Sequence, residues 1–592
     1  MKRPKIIQYK VNLDSCLFRV FLCCFVPKSD MDKGKCKIGQ TNRITGYYHK
    51  STVCNNEAGC DVDKAYEAMG MIMCRAEQMT IGAAKQLMTG LNPNIPFSRG
   101  ELKRGCLKVY KEEKAKVIQI MENLDSRIAF SMDLLRLDTY GLRRPKPEDS
   151  YEQDIFDHMC LRAHFIDDNW KPKSWVLYYG DIDDIMDTGY GKTILKSISD
   201  LRIESKISTV TRGYYNWYTD MIEAVEDLVK EKKTLQIRCE PFKINCCSNL
   251  FGKMVEAAFE DVHDAVWKIM TTKNFMYWHL TFIRLQGAIK AEADGEFQEL
   301  FGTDFVDPPT EEEWTKLKYI CRLVDYIYNT AEVLFHTKNP TASLYLHNLC
   351  ELQASLRKES VSPDRLSIIT DLLKKFDEYW NDMFLVLAIA TVLDPRCKMK
   401  YIEFSSLKYE DNSRNTQVTS VLEAIREIYD DYKMHTIESQ TSKPSDSKPS
   451  DLEPSKSDSN SEELSPDSEE LPRHTLERLQ NCNFGFNCLD EYNEFLKPRN
   501  QPPKSELELY FDEPVLPWSK DFDLMSWWRT ESPKYPILSK MARDFLAIPF
   551  SLVSSYQAYY YRDARAADTS LAFMGADLLN ALVCTRSYFQ KD

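Results

Sequence analysis

The 592-residue chain contains no run of about eighteen consecutive apolar residues, which excludes a helical membrane span. Its N-terminus, "MKRPKIIQYKVNLDSCLFRVFLCCFVPKS", also lacks what a secretory signal needs. The apolar stretch at 16–26 is broken by Arg19 and no small-residue cleavage site follows, so no signal peptide is expected. Excess positive charge is missing too: a net charge of −13 argues against broad nucleic-acid binding, which rests on phosphate contacts. Histidine is scarce, at 9 residues, and no Ser/His/Asp or Cys/His nucleophile constellation stands out. The 18 cysteines form no regular framework; they are scattered and include the adjacent pairs Cys23–Cys24 and Cys246–Cys247. That usage fits reduced thiols in the cytosol or nucleus rather than a secreted disulfide scaffold.

What is present is a soluble globular composition, 43% hydrophobic and 28% charged, with length for about two to four domains. Much of the negative charge is local. Residues 439–470 hold nine acids and three lysines, together with eleven serines, four prolines and no aromatic residue. Such a segment cannot bury enough apolar surface to order itself, so 436–475 is expected to be a disordered linker. The remainder is only mildly acidic and leaves room for a DNA-binding patch. The basic runs "LRRPKP" (142–147) and "KEKK" (230–233) suit nuclear targeting, although solvated faces carry such runs routinely.

The part before the linker opens with strands. In "RIAFSMDLL" (127–135), Ile128, Phe130 and Met132 alternate with Ala129, Ser131 and Asp133. "DHMCLRAHFIDD" repeats the pattern through Met159, Leu161, Ala163 and Phe165, and "KSWVLYYGD" follows as the next strand of an antiparallel meander. Helical "GYGKTILKSISDL" leads to a strand at 206–211, and a helix at 216–231 leads to "TLQIRC". Three antiparallel strands followed by alternating helices and strands predict a mixed α/β protein with an RNase H-like sheet. Residues 63–250 form its N-terminal part, and 251–435 read as a large helical insertion. In "PPTEEEWTKLKYICRLVDYIYNTAEVLF", Thr310 and Glu313 make a capping box, three glutamates sit at the positive end of the helix dipole, and Trp314, Leu317, Leu323, Ile327, Ala331 and Leu334 recur at helical spacing.

Two motifs weaken on inspection. "GYGKT" (189–193) resembles the end of a phosphate-binding loop, but the required glycine five positions before Gly191 is Met186, so a helix N-terminus is expected. In "KCKIGQTNRITGYYHKSTVC", Cys36, His49 and Cys54 have the spacing of a zinc finger whose second ligand position is Gly39; Cys60 would have to substitute from the wrong end of the fold. A structural zinc takes four closed ligands. Residues 1–62 therefore read as a degenerate finger region; no cofactor is expected, zinc at Cys36, His49 and Cys54 being the one candidate.

"LVLAIATVLDPRCKMKYIEFSS" (385–406) and "DFDLMSWWRTESPKYPILSKMARDFLAIP" (521–549) resemble the hAT superfamily of transposases, in particular the domesticated plant branch of RICESLEEPER-like BED zinc-finger proteins. "YEQDIFDHMCLRAHFIDDNWKPKSWVL" (151–177) and "WHLTFIRL" (278–285) fit the same family, so the resemblance runs, with gaps, over 127–592. It implies a nuclear, DNA-binding, dimerising protein on an RNase H-like core. Active members cut DNA with three carboxylates holding two divalent metal ions, hard cations that need clustered oxygen anions. Carried over by position, the first acid is Asp133. The second position, after "TVT", holds Gly213, and the third, in "SSYQAYY", holds Tyr556. A shift of register to Asp220 or Glu223 would rescue the second acid only. The family's Cys-x-x-His is also broken, as "CEPF" keeps Cys239 but has Phe242.

The resemblance further implies that 476–592 is a C-terminal helical module that completes the core and dimerises. Trp527, Trp528, Ile537, Met541 and Phe545 are its candidate anchors, with core packing as the alternative use for several of them. Pro536 opens a helix there, and the last helix adds Leu578, Leu579, Leu582, Val583 and Phe589. The expected function is a catalytically silent, transposase-derived nuclear protein that binds DNA and forms a homodimer. An active transposase, or a scaffold that no longer binds DNA, are the rivals.

Overall fold

Three helices open the part of the chain described by the computed structural model, which covers residues 62–136, 158–181, 190–213, 236–269, 278–301, 308–409, 414–441, 504–552 and 565–589 apart from short gaps within them. They are α1 (Val62–Arg75), α2 (Ile81–Leu91) and α3 (Arg99–Asn123). Thr80 and Ser98 cap α2 and α3, their side chains accepting from the N–H groups of Ala83 and Glu101. Lys206 closes the far end of α3, its ammonium donating to the carbonyls of Met121, Glu122 and Leu124 at 2.8, 2.7 and 2.6 Å. Helices α1 and α3 cross at backbone contact, since a Cβ on Gly70 would stand 2.6 Å from the Gly105 carbonyl carbon.

The sheet follows. Strands β1 (Ile128–Arg136), β2 (His158–Ile166) and β3 (Pro172–Asp181) form the expected antiparallel meander. After α4 (Tyr190–Asp200), β4 (Ile207–Arg212) joins β1 in parallel. Within the predicted strand at "TLQIRC" the described residues are β5 (Gln236–Ile237), which pairs with β6 (Glu240–Pro241). The strand that extends the main sheet is instead β7 (Lys243–Asn245), parallel to β4. The order β3-β2-β1-β4-β7, antiparallel on one side of β1 and parallel on the other, is the RNase H-like arrangement.

Alternation along the strands sends one set of side chains into each layer. Ile128, Phe130, Met132, Leu161, Phe165 and Val210 pack with the last turns of α3 and with Ile194 and Ile198 of α4. On the other side, Cys160, Val176 and Tyr179 pack with α1, α2 and the first half of α3. The predicted helix at 216–231 lies outside the described residues, apart from one helical position at 227.

From Cys247 the chain is helical: α5 (Cys247–Glu260), α6 (His263–Ile269), α7 (Trp278–Ala293), α8 (Phe297–Phe301), α9 (Glu311–His336), α10 (Ala342–Glu359), α11 (Leu366–Val392), α12 (Lys398–Tyr409) and α13 (Arg414–Thr441). The capping box at the start of α9 is formed as predicted, with Thr310 N donating to Glu313 at 2.7 Å and Glu313 N to Thr310 at 3.3 Å. Helix α13 continues to Thr441, so the first residues assigned to the linker are helical; the rest of that segment lies outside the described residues.

The chain divides into two compact units, Asp430–Pro514 and the remainder. The smaller contains α14 (Glu506–Asp512), opened by a capping box between Ser505 and Glu508. Residues from Val515 onward belong to the larger unit, so most of the C-terminal piece is built into the body instead of standing apart. It supplies α15 (Leu524–Glu531), α16 (Pro536–Leu546, with proline in its first turn), the two-residue β8 (Arg565–Ala566) and α17 (Ala576–Phe589). Helix α17 covers the exposed edge of the sheet: the N–H groups of Val176 and Tyr179 on β3 donate to the side chains of Ser587 and Asn580 at 2.8 and 3.0 Å. No helix among the described residues is long and apolar enough to cross a membrane.

Candidate functional site

Asp133 sits on β1, which has core side chains at every second position, so Ala129, Ser131 and Asp133 point to the opposite side from Phe130 and Met132. It is only 8% exposed and is paired in register with Cys160 of β2. On the other flank, β4 runs parallel with Ser131 opposite Thr211 and Met132 opposite Arg212. Continuing that register by one residue sets Asp133 level with Gly213, which leaves the end of β4. The sheet thus brings the first and second acid positions together at its carboxyl edge, and one of the two has no side chain.

The third position is approached from both sides. Thr211 donates its hydroxyl to the Pro549 carbonyl at 3.0 Å, Cys247 N donates to Phe550 O at 2.9 Å, and Leu552 N donates to the Cys246 sulfur at 3.2 Å. Further on, β8 pairs in parallel with Leu135 and Arg136, just beyond Asp133 on β1. The chain is therefore tied to the end of β4 before Tyr556 and to the end of β1 after it. Tyr556 itself lies outside the described residues, as do Asp220, Glu223 and Cys239.

These residues do not fit a pair of divalent cations. Hard metal ions need several clustered oxygen anions, and at this edge Asp133 has Cys160 on one flank and Gly213 on the other. Among the described residues no group of three or more His, Cys, Asp or Glu side chains is placed to hold a metal ion. A polar group that sequence reasoning missed lies on the same face of the sheet as Asp133. His164 Nε2 lies 2.8 Å from the Ser131 hydroxyl, and burial, then the nearby Arg162 charge, push its imidazole down to about 3. The alternation in "RAHF" held the signal, because it puts His164 on the face of Ser131. Phe242, at the lost histidine of Cys-x-x-His, packs edge-on against Phe545 with ring centroids 5.8 Å apart.

Of the five candidate dimerisation anchors, Trp528, Met541 and Phe545 are 0% exposed within the chain and so serve its own core. Trp528 stacks on Trp170 of the β2–β3 turn at 6.1 Å, and its indole N–H donates to Leu393 O at 2.9 Å. Trp527 and Ile537 are half-buried. These residues lie on helices, as their spacing predicts, but an apolar stripe does not say which surface covers it. Here the covering surface is the β2–β3 turn, the end of α11 and Phe242.

The segment before α15 is clasped to the same region. Asp394, 1% exposed, accepts from Ser343 and is held by Arg396 through Nε at 2.9 Å and the terminal nitrogen at 2.7 Å. The guanidinium lies over the rings of Trp518 and Phe522 at 4.3 and 4.7 Å, and Leu516 N donates to Pro395 O at 3.0 Å. The finger candidates Cys36, His49 and Cys54, with Gly39 and Cys60, lie outside the described residues.

Comparison with known proteins agrees with this architecture. Residues 343–432 match the family described as hAT-like transposase, RNase-H fold, and residues 506–589 match the hAT family C-terminal dimerisation region. Zinc finger BED domain-containing protein RICESLEEPER 1 of Oryza sativa subsp. japonica is 26% identical over 519 residues, covering 81% of this chain and 68% of its own. DAYSLEEPER of Arabidopsis thaliana, also described as a zinc finger BED domain-containing protein, is 23% identical over 82% of this chain and 66% of its own. The putative AC transposase of Zea mays is 24% identical over 85% of this chain and 62% of its own.

Proposed function

Because this chain carries the RNase-H-fold and C-terminal dimerisation regions of the hAT transposases, we propose that it is a transposase-derived nuclear protein that binds DNA as a homodimer and no longer cuts it. The reading rests on one observation: the register of β1 and β4 sets Gly213 level with Asp133, where a metal pair would need a second carboxylate. The tyrosine at 556 removes the third in the sequence. A single aspartate can neither gather two cations nor stabilise an in-line displacement. DNA binding is supported by the kind of protein this chain resembles, and the acidic balance points to a confined patch rather than a broad basic surface.

The test is a cleavage assay with the purified full chain, Mg²⁺ or Mn²⁺, and duplex DNA carrying its candidate terminal repeat. We expect neither nicking nor strand joining. Metal-dependent cleavage that disappears in Asp133→Ala would overturn the proposal in favour of an active transposase. An unbiased DNA selection at stated salt then separates a DNA-binding protein from a scaffold that has lost DNA binding.

A further inference from the structure

Within the dimerisation region, Trp528, Met541 and Phe545 are spent on the core and Trp527 and Ile537 are half-buried, so the most exposed apolar surface lies elsewhere. Among the described residues of the large unit in that region, the exposed large hydrophobic side chains are Val515, at 38%, and Trp518, at 62%. Both lie on the extended stretch between α14 and α15. We propose that a second copy of this chain docks on Val515 and Trp518, which form the centre of a two-fold interface; this deepens the homodimer reading above and rests on it.

The chemistry favours this stretch over the helices. An exposed tryptophan is ordinarily mobile, and immobilising a side chain on association costs entropy. Trp518 is already held: the Arg396 guanidinium lies over its ring at 4.3 Å, and that guanidinium is fixed by the buried Asp394. The Leu516–Pro395 backbone bond pins the stretch between the two anchors. A rigid aromatic side chain presented on a pinned segment has the character of residues that dominate interface energetics. In an isologous contact the same patch serves both partners, so two side chains per copy contribute four anchors. The competing apolar patch, Phe404 and Leu407 on α12 at 48% and 63% exposure, falls outside the dimerisation region.

Sedimentation velocity of the full chain across nanomolar to micromolar concentration tests the idea, with circular dichroism on every variant. Wild type should be a dimer at micromolar concentration, and Trp518→Ala should raise its dissociation constant about thirtyfold or more. Val515→Asp should weaken it as well. This second variant leaves the Arg396 stacking intact, so it decides the matter if Trp518→Ala misfolds. Phe404→Asp should leave the dimer unchanged. A dimer of wild-type strength in folded Trp518→Ala, or in folded Val515→Asp, would overturn this surface while leaving the homodimer reading standing, as would dissociation by Phe404→Asp alone. A monomeric wild type would remove both.

Discussion

Trp170 adopts a backbone conformation that few non-glycine residues tolerate, with φ of 60° in the β2–β3 turn. The Asp167 side chain shapes that turn by accepting from the N–H groups of Asn169 and Lys171 at 2.9 Å each. Trp528 holds the Trp170 ring from one side, and the Arg543 guanidinium lies over it at 4.9 Å. Removing the Trp528 indole leaves a large cavity, an orphaned Leu393 carbonyl and an unsupported turn. Trp528→Ala should therefore destabilise the protein by about 3–5 kcal/mol in urea unfolding. A dimer that dissociated with the fold intact would show Trp528 to be an interface residue instead. His164 makes the second residue-scale prediction. Its folded pKa of about 3 lies below the ordinary value near 6.5, so the unfolded chain binds the extra proton first as pH falls. The contribution of His164 to stability is complete above pH ~6.5 and is lost at up to ~1.4 kcal/mol per pH unit as pH drops toward 3. His164→Gln should flatten that part of the stability profile, measured by denaturant midpoints at pH 7 and pH 5.

The elements divide between those that local chemistry explains and those that their neighbours set. Helix α9 is of the first kind: its capping box, acidic first turn and apolar stripe all stand in the sequence and all appear in the structure. Strands β1 and β2 are also local, since their alternation sorts side chains between the two layers packed on the sheet. The crossing of α1 and α3 is of the second kind. A Cβ added at Gly105 would run into the main chain at Tyr66, and one at Gly70 into Gly105 itself. Backbone cannot yield as a flexible side chain does, so Gly105→Ala should force the helices apart at a cost of about 1–3 kcal/mol. The measurement is the thermal or urea midpoint relative to an exposed control, Gly90→Ala, whose Cβ would meet nothing within 4 Å.

At the scale of the molecule, the chain returns after a long excursion to finish its first domain. The N–H groups of β3 are satisfied by α17, Arg127 N–H donates to the buried Asp544 of α16 at 2.8 Å, and Arg586 donates to the Met73 carbonyl at 3.3 Å. These contacts join residues more than 400 positions apart. A chain cut once within the Ser- and Pro-rich stretch 442–470 should therefore remain one particle in gel filtration under native conditions, and its two fragments should separate only in denaturant. Fragments that part without denaturant would contradict the interlocked core described above.

The sequence by itself determined the strand meander and the capped helices, because these depend on residue identity and local periodicity, and it places glycine at 213 and tyrosine at 556. Its resemblance to the hAT transposases, matched over 343–432 and 506–589, implies an RNase H-like sheet. It read "TLQIRC" as a strand but could not assign its partner: Gln236–Ile237 pairs with Glu240–Pro241, while Lys243–Asn245 joins β4, because a short run of β-forming residues cannot report which neighbour offers it hydrogen bonds. It left Trp528, Met541 and Phe545 between dimer anchors and core, because a stripe of apolar side chains looks the same whether covered by this chain or by another. Only the tertiary structure decided those questions. It set Gly213 beside Asp133 through strand register, aimed Phe242 at Phe545, and left Trp518 outside, since burial and register belong to contacts between residues far apart in the chain.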